Sequence, residues 1–305
     1  MSIYTDLALE AREMDPELEG VDEERKAGDG FELTRIRVKT AKASSRLGKR
    51  MGNYITIESQ VLNERLPESF KRASSLLSSE LEKLIGSLDA SGSVLIAGLG
   101  NRRVTPDSLG PSVSDQILVT RHINDQMPDV FGPPIRSVSA ISPGVMGETG
   151  IESLEIIKGV CGRVSPDFII AIDSLAARRV SRIGVSIQLT DAGIDPGAGV
   201  GNIRSGLDSE TVGIPVIAVG VPLVVYSSTI LYDGITEAAK RFGLAFGEEE
   251  ISRFSREALK NSGNDMIVTS KDIDRITVDM SRVLAEGINR ALFGSRYDEL
   301  VELTN

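Results

Sequence analysis

Four short apolar runs constrain this chain more than any other feature. Val94 to Gly98 (VLIAG), Ile135 to Ala140, Phe168 to Ile172 (FIIAI) and Val216 to Gly220 (VIAVG) are each bounded by Gly, Pro or Asp. Runs that are apolar at consecutive positions suit strands buried on both faces. Helical patterns lie between them, near Gly110 to Gln126 and Gly150 to Gly162. Strand and helix in alternation predict an α/β fold, with a mostly parallel sheet covered by helices on both sides through right-handed crossovers. Upstream, the alternating Phe31 to Val38 and the short Tyr54 to Ile57 read as strands, and Glu68 to Leu88 carries helical periodicity. Residues 1 to about 30, rich in charge and glycine, read as an exposed arm with little core. After Asp233 the chain turns helical. Its last long helix is marked by Ile276, Met280, Val283, Leu284, Ile288 and Leu292, and Thr269 with Asp272 forms an expected capping box. No repeat, low-complexity tract or linker divides the 305 residues, so a single domain is expected.

Charge and cysteine content exclude several function classes. The 44 acidic residues outnumber 34 basic ones, a net charge of -10 that would repel phosphates. Direct nucleic-acid binding and adsorption to anionic membranes are therefore not expected. The single cysteine, Cys161, allows neither an internal disulfide nor a multi-thiolate zinc site; it reads as a small core residue in a reducing, cytoplasmic setting. The N-terminus is acidic where a secretory signal is basic. The longest apolar run, Ile214 to Tyr226, is broken by Pro215, Gly220 and Pro222 and is shorter than the ~20 residues a spanning helix needs.

Ligands of open parallel sheets gather beyond the carboxyl ends of the strands. Two carboxylates stand there. Asp173 follows FIIAI directly, and Asp107 lies in GLGNRRVTPDSLGP after VLIAG. Either one alone reads as a turn former or helix cap. A pair on neighbouring strand ends suits peptide hydrolysis, because one ionised carboxylate activates water while the other, protonated, donates to the amide. At ~4 Å and an effective dielectric of ~20, two such charges repel by ~4 kcal/mol, enough to retain one proton near neutrality. A dinucleotide fingerprint fails, since the third glycine of GxGxxG would fall on Arg103, and no P-loop occurs. His122 is the only histidine, which leaves neither a Ser-His-Asp triad nor a His-rich metal site easy to assemble. No cofactor is expected. Arg102, Arg103, Arg178 and Arg179 flank the two aspartates as partners for a substrate carboxylate or as solvated surface charges. Glu148, in ISPGVMGETGIES, lines the site or belongs to a glycine-rich turn. The glycine-rich loop Asp191 to Arg204 would bring backbone amides to an extended peptide or an oxyanion.

Long segments of the chain resemble the spore germination proteases, atypical aspartic endopeptidases that degrade small acid-soluble spore proteins. The resemblance runs through TDLALEA (Thr5 to Ala11), GLGNRRVTPDSLGP (Gly98 to Pro111), ISPGVMGETGIESLEIIKGV (Ile141 to Val160), PDFIIAIDSLAARRV (Pro166 to Val180), DAGIDPGAGVGN (Asp191 to Asn202) and PVIAVGVP (Pro215 to Pro222). It implies that Asp107 and Asp173 are the essential aspartates. It further implies a zymogen that cuts itself between Asp6 and Leu7, so that residues 1–6 are a propeptide and 7–305 a single peptidase domain. The implied fold is the three-layer α/β/α sandwich of the hydrogenase maturation peptidases, and the implied assembly is a homotetramer in the cytoplasm of the forespore and spore core. Two features depart from the family: GVPLVVYSS places Tyr226 where an acid is expected, and the region after Phe246 is shorter. The competing readings are a metal-dependent maturation endopeptidase of the same fold and a non-catalytic protein that binds an anion or small molecule.

Overall fold

A computed structural model describes residues 4–86, 92–126, 135–195, 206–262 and 265–304. In chain order the strands are β1 (Val21–Gly28), β2 (Phe31–Val38), β3 (Gly52–Glu58), β4 (Val94–Gly98), β5 (Val138–Ile141), β6 (Phe168–Ala177), β7 (Ser186–Thr190), β8 (Val216–Tyr226) and β9 (Ile267–Thr269). The helices are α1 (Ala8–Met14), α2 (Ala41–Leu47), α3 (Pro67–Ile85), α4 (Leu109–Ser114), α5 (Arg121–Gln126), α6 (Met146–Thr149), α7 (Ser153–Val164), α8 (Ser209–Val212), α9 (Ser227–Phe242), α10 (Glu248–Ser262), α11 (Ile273–Phe293) and α12 (Tyr297–Thr304).

One sheet runs β1-β2-β3-β7-β8-β6-β4-β5, with β9 paired to the end of β8. It is mixed. The four strands read as doubly buried, β8, β6, β4 and β5, are parallel, and every pairing outside them is antiparallel. Parallel order stops at β7 because β7 follows β6 through a short connection that has no room for a crossover helix. The β1–β2 hairpin turns at Asp29-Gly30, both at positive φ (54° and 77°), as a two-residue turn demands.

Side-chain alternation sends successive residues of the parallel strands to opposite faces. Ile96, Ile170, Ile172, Ile217 and Val219 pack under α3, α4 and α11, while Leu95, Ala97, Ile169, Ala171 and Val216 meet Ile157 of α7. Helices thus cover both faces, and the expected α/β/α layering holds. A separate cluster joins Ala8, Leu9 and Ala11 of α1 and Ala43 and Leu47 of α2 to Ile36, Val38 and Tyr54 on the antiparallel flank.

Two expectations are corrected. The N-terminal arm is exposed over most of β1, but Leu7, Ala8, Leu9, Glu10 and Ala11 are buried against the body, because the sheet end offers both an apolar seat and hydrogen-bond partners. The capping box is absent: Thr269 belongs to β9 and donates its hydroxyl to the Leu223 carbonyl at 2.6 Å, and α11 begins after Asp272 with no side-chain cap. Cys161 is half-buried on α7 and unbridged, and its desolvation pushes the thiol pKa up. Among the described residues no helix is long and apolar enough to cross a membrane.

Candidate active site

The loop after β4 is fixed to the sheet by its own backbone. Gly98 pairs with Ile172 of β6, and the Leu99 N–H prolongs the pairing by donating to the Ile172 carbonyl at 2.8 Å. The chain then turns sharply at Gly100 (φ 109°), where a Cβ would lie 2.0 Å from the Asp107 carbonyl oxygen. Only glycine fits. The Asn101 N–H donates to both the Asp107 carbonyl and its Oδ2, each at 2.9 Å. Pro106 presets the single 3-10 turn Thr105–Asp107, and α4 starts just beyond it. Gly110 then presses that helix onto the strand ends so closely that a Cβ would sit 2.2 Å from Leu99 O and 2.5 Å from Ile172 O.

Ile172 is followed by Asp173, which is 6% exposed and accepts the Ser174 N–H on Oδ1 at 2.8 Å. Asp173, expected just past its strand, lies inside β6, paired with Gly220 of β8, because β6 runs on to Ala177; the pairing with β4 stops at Ile172, and half-buried Asp107 lies in the turn of the loop that follows β4.

Past Asp173, β6 holds the chain's own N-terminus. Asp6 bridges Ala176 in both directions: its N–H donates to the Ala176 carbonyl (2.8 Å), and the Ala176 N–H donates to Asp6 Oδ2 (2.7 Å). Ala176 lies three residues beyond Asp173, or ~10 Å along a strand. Gln188 of β7 donates to the Asp6 carbonyl at 3.1 Å and accepts the Ala8 N–H at 2.7 Å, so it brackets Leu7 by bonding the peptide on either side of it. Lys49 Nζ donates to the Thr5 carbonyl at 2.8 Å, and desolvation draws its pKa below the usual lysine range. Leu7 is fully buried among Leu175, Ala177, Ile183 and Val225. Tyr226, the departure noted above, meets Tyr4 edge to face at 5.6 Å; burial, and then the nearby Asp6 and Asp265, push its pKa up to about 12. The Tyr4 hydroxyl donates to Asp6 Oδ1 at 2.5 Å. A cavity of about 630 Å³ opens beside this segment between Tyr4, Lys49, Tyr54 and Asp195.

The four arginines are engaged away from Asp6. Arg102 pairs with Asp115, Arg103 with Glu148 of α6 at 3.5 Å, Arg178 with Asp233 at 2.7 Å and Arg179 with Glu13 at 3.3 Å. The Arg103–Glu148 pair ties α6 to the Asp107 loop. His122 is exposed on α5, and among the described residues no three His, Cys, Asp or Glu side chains gather as a metal site. Residues 196–205 of the glycine-rich loop lie outside the described residues.

Sequence reasoning missed Arg182, Gln188 and Lys49. Arg182 is 5% exposed and reaches Glu10 (3.2 Å), Glu13 (2.7 Å) and Glu58 (2.8 Å). Desolvation opposes its charge, but Glu13 and Glu58 outweigh that and hold its pKa above the ordinary value. A usable signal existed, since ALEARE puts Glu10 and Glu13 three apart on a helix whose Ala8, Leu9 and Ala11 are apolar. Acids on a buried face demand a cation.

The sequence profile of the Peptidase_A25 family, germination protease, matches residues 2–255. The chain belongs to the germination protease family. It is 42% identical to the germination protease of Caldanaerobacter subterraneus subsp. tengcongensis, across 96% of this chain and 94% of that protein. It is 41% identical to the one from Clostridium acetobutylicum (95% of each) and 37% identical to the one from Priestia megaterium (95% and 94%). This is a peptidase of the germination protease family, as the motifs imply. Among solved structures, a [NiFe] hydrogenase maturation protease HycI from Thermococcus kodakarensis KOD1 aligns at 14% identity and a TM-score of 0.35, over 68% of this chain and 97% of that one.

Proposed function

We propose that this germination protease is an acid-pair endopeptidase in which Asp107 and Asp173 do the hydrolytic work. One carboxylate activates water and the other, protonated, donates to the departing amide nitrogen. The observation that supports this is the anchoring of the Asp107 loop on β6 directly beside Asp173, through the Leu99–Ile172 bond and the close seat of Gly110 against the Ile172 carbonyl. The enzyme removes its own first six residues by cutting between Asp6 and Leu7. It then cleaves small acid-soluble spore proteins after an acidic residue during germination, as a homotetramer in the spore core and without a cofactor. The name shared by the relatives supports the germination setting, and the seating of Asp6 on Ala176 of β6, the strand that carries Asp173, supports self-removal. Arg102, Arg103, Arg178 and Arg179 are the cations nearest in sequence to the two aspartates, and with Glu148 they form the rim that a substrate would meet.

Asp107→Asn and Asp173→Asn test the reading. N-terminal mass is followed over time, and a purified small acid-soluble spore protein is supplied as substrate. Each variant should keep residues 1–6 and lose at least about 100-fold in cleavage rate, with its circular dichroism unchanged. Normal turnover by either variant would defeat the assignment.

A further inference from the structure

The link between Leu7 and the body passes through one hydroxyl. The Leu7 N–H donates to Thr5 Oγ1 at 3.1 Å, and that hydroxyl donates in turn to Glu10 Oε2. Glu10 is 1% exposed. Its Oε2 also accepts the Arg178 N–H (2.6 Å), while Oε1 accepts the Arg179 N–H (2.9 Å) and Arg182 Nη1 (3.2 Å). A carboxylate fixed to the two residues that follow β6 is thus joined to the Leu7 nitrogen by an atom of the segment that leaves.

Charged groups crowd this place. Glu10, Glu13 and Glu58 surround Arg182, and Arg179 adds a second cation at Glu13. Lys49, whose ammonium also feels Glu10, is a third cation within reach of these carboxylates. From the leader's side come Asp6, held by Ala176 and Tyr4, and Lys49, whose ammonium is bonded to the Thr5 carbonyl.

We propose that Glu10 is a positioning residue of the processed enzyme, which captures the Leu7 α-ammonium in place of the Thr5 hydroxyl. This rests on the cut after Asp6 argued above. In that cut, the oxygen of water bonds to the Asp6 carbonyl carbon, the C–N bond breaks, and the nitrogen takes up the water's protons. The products are an Asp6 carboxylate, which leaves with the leader, and a Leu7 ammonium. Leu7 remains seated because its side chain is fully buried against Leu175, Ala177, Ile183 and Val225. A glutamate three residues on is spaced to reach its nitrogen. The new cation gives Glu10 a charged partner in place of the Thr5 hydroxyl, keeps it clamped to residues 178 and 179, and so steadies the last residues of β6, the strand that carries Asp173. Processing thereby swaps a neutral link for an ion pair.

The test uses the full chain with residues 1–6 replaced by a recognition sequence for a site-specific protease that leaves Leu7 first, and a companion in which the cut leaves Gly-Ser ahead of Leu7. The pKa of the terminal amine, read from the pH dependence of its acylation, should lie above the ordinary ~7.7–8.0 in the Leu7-first protein. It should return to that range in the Gly-Ser form and in Glu10→Gln. Because the folded-state pKa is the raised one, the stabilisation is full below the ordinary pKa and is lost as pH rises through the folded one. The melting temperature of the Leu7-first protein should therefore exceed that of the Gly-Ser form at pH 7, and the gap should close in alkali. Turnover of a small acid-soluble spore protein should fall at least tenfold in kcat in the Gly-Ser form, with KM little changed. An ordinary amine pKa in the Leu7-first protein, or equal kcat in the two forms, overturns the proposal. If wild-type chain is never cut after Asp6, its N-terminal mass reveals that the earlier reading fails, while the amine pKa still decides this one.

Discussion

Residues 4–14 and residues 21–28 are both acidic stretches near one end of the chain, and the fold treats them in opposite ways. In the first, Glu10 is sealed from solvent and every oxygen of its carboxylate has a named donor. In the second, the acids lie open on β1, and Glu23 and Glu24 pair with Arg25 (2.6 Å) and Lys26 (2.8 Å) on the surface. Composition sets how many partners a charged segment needs. Which elements stand opposite decides whether those partners are protein or water.

The contrast can be broken at its strongest point. Arg182→Met should cost about 3–5 kcal/mol in denaturant unfolding, because it strands buried Glu10 without its guanidinium and leaves half-buried Glu13 only Arg179. Wild type should also weaken on acidification: Arg182 holds Glu13 below its ordinary 4.5 against the opposing pull of desolvation. A depressed folded pKa means that this stability is present above the ordinary value and is lost as pH falls through the folded one. Arg182→Met should blunt that acid limb. Leu7→Ala should cost about 2–4 kcal/mol by emptying a closed apolar seat, and should free the leader to proteolysis by an added protease before the core opens. On the other side of the comparison, Glu24→Gln should leave the melting temperature unchanged, since its partners are exposed and water replaces them. A clear drop there would mean that β1 does more than cover an edge.

The same contrast explains what was readable beforehand. VLIAG and FIIAI announce themselves because strands buried on both faces must be apolar throughout, and β4 and the first half of β6 match them. Asp173 directly follows FIIAI but stays within the strand, because β6 continues through SLAA, where it pairs with β8. β7 escapes notice because SIQLT is wholly buried yet half polar, and Gln188 is there to hold the Asp6–Leu7 peptide, a partner 182 residues away at Asp6. β1 escapes for the converse reason: VDEERKAG has one buried side chain and is a strand only because β2 pairs with it. Arg182 falls in an unremarkable turn, and its meaning comes entirely from three acids on other elements.

The seat of Leu7 also fixes an order of events. Its segment bonds to residues 168 to 182 positions further along, at Arg178, Arg179, Ala176 and Gln188. Closing loops of that size must wait until β6 and β7 exist as a surface. During synthesis, at ~5–20 residues per second, the chain through β7 must leave the ribosome before residues 4–11 have anywhere to bind. The segment that is last to settle is thereby absent from the early folding nucleus. Its docking reports that the carboxylate-bearing sheet end is already complete.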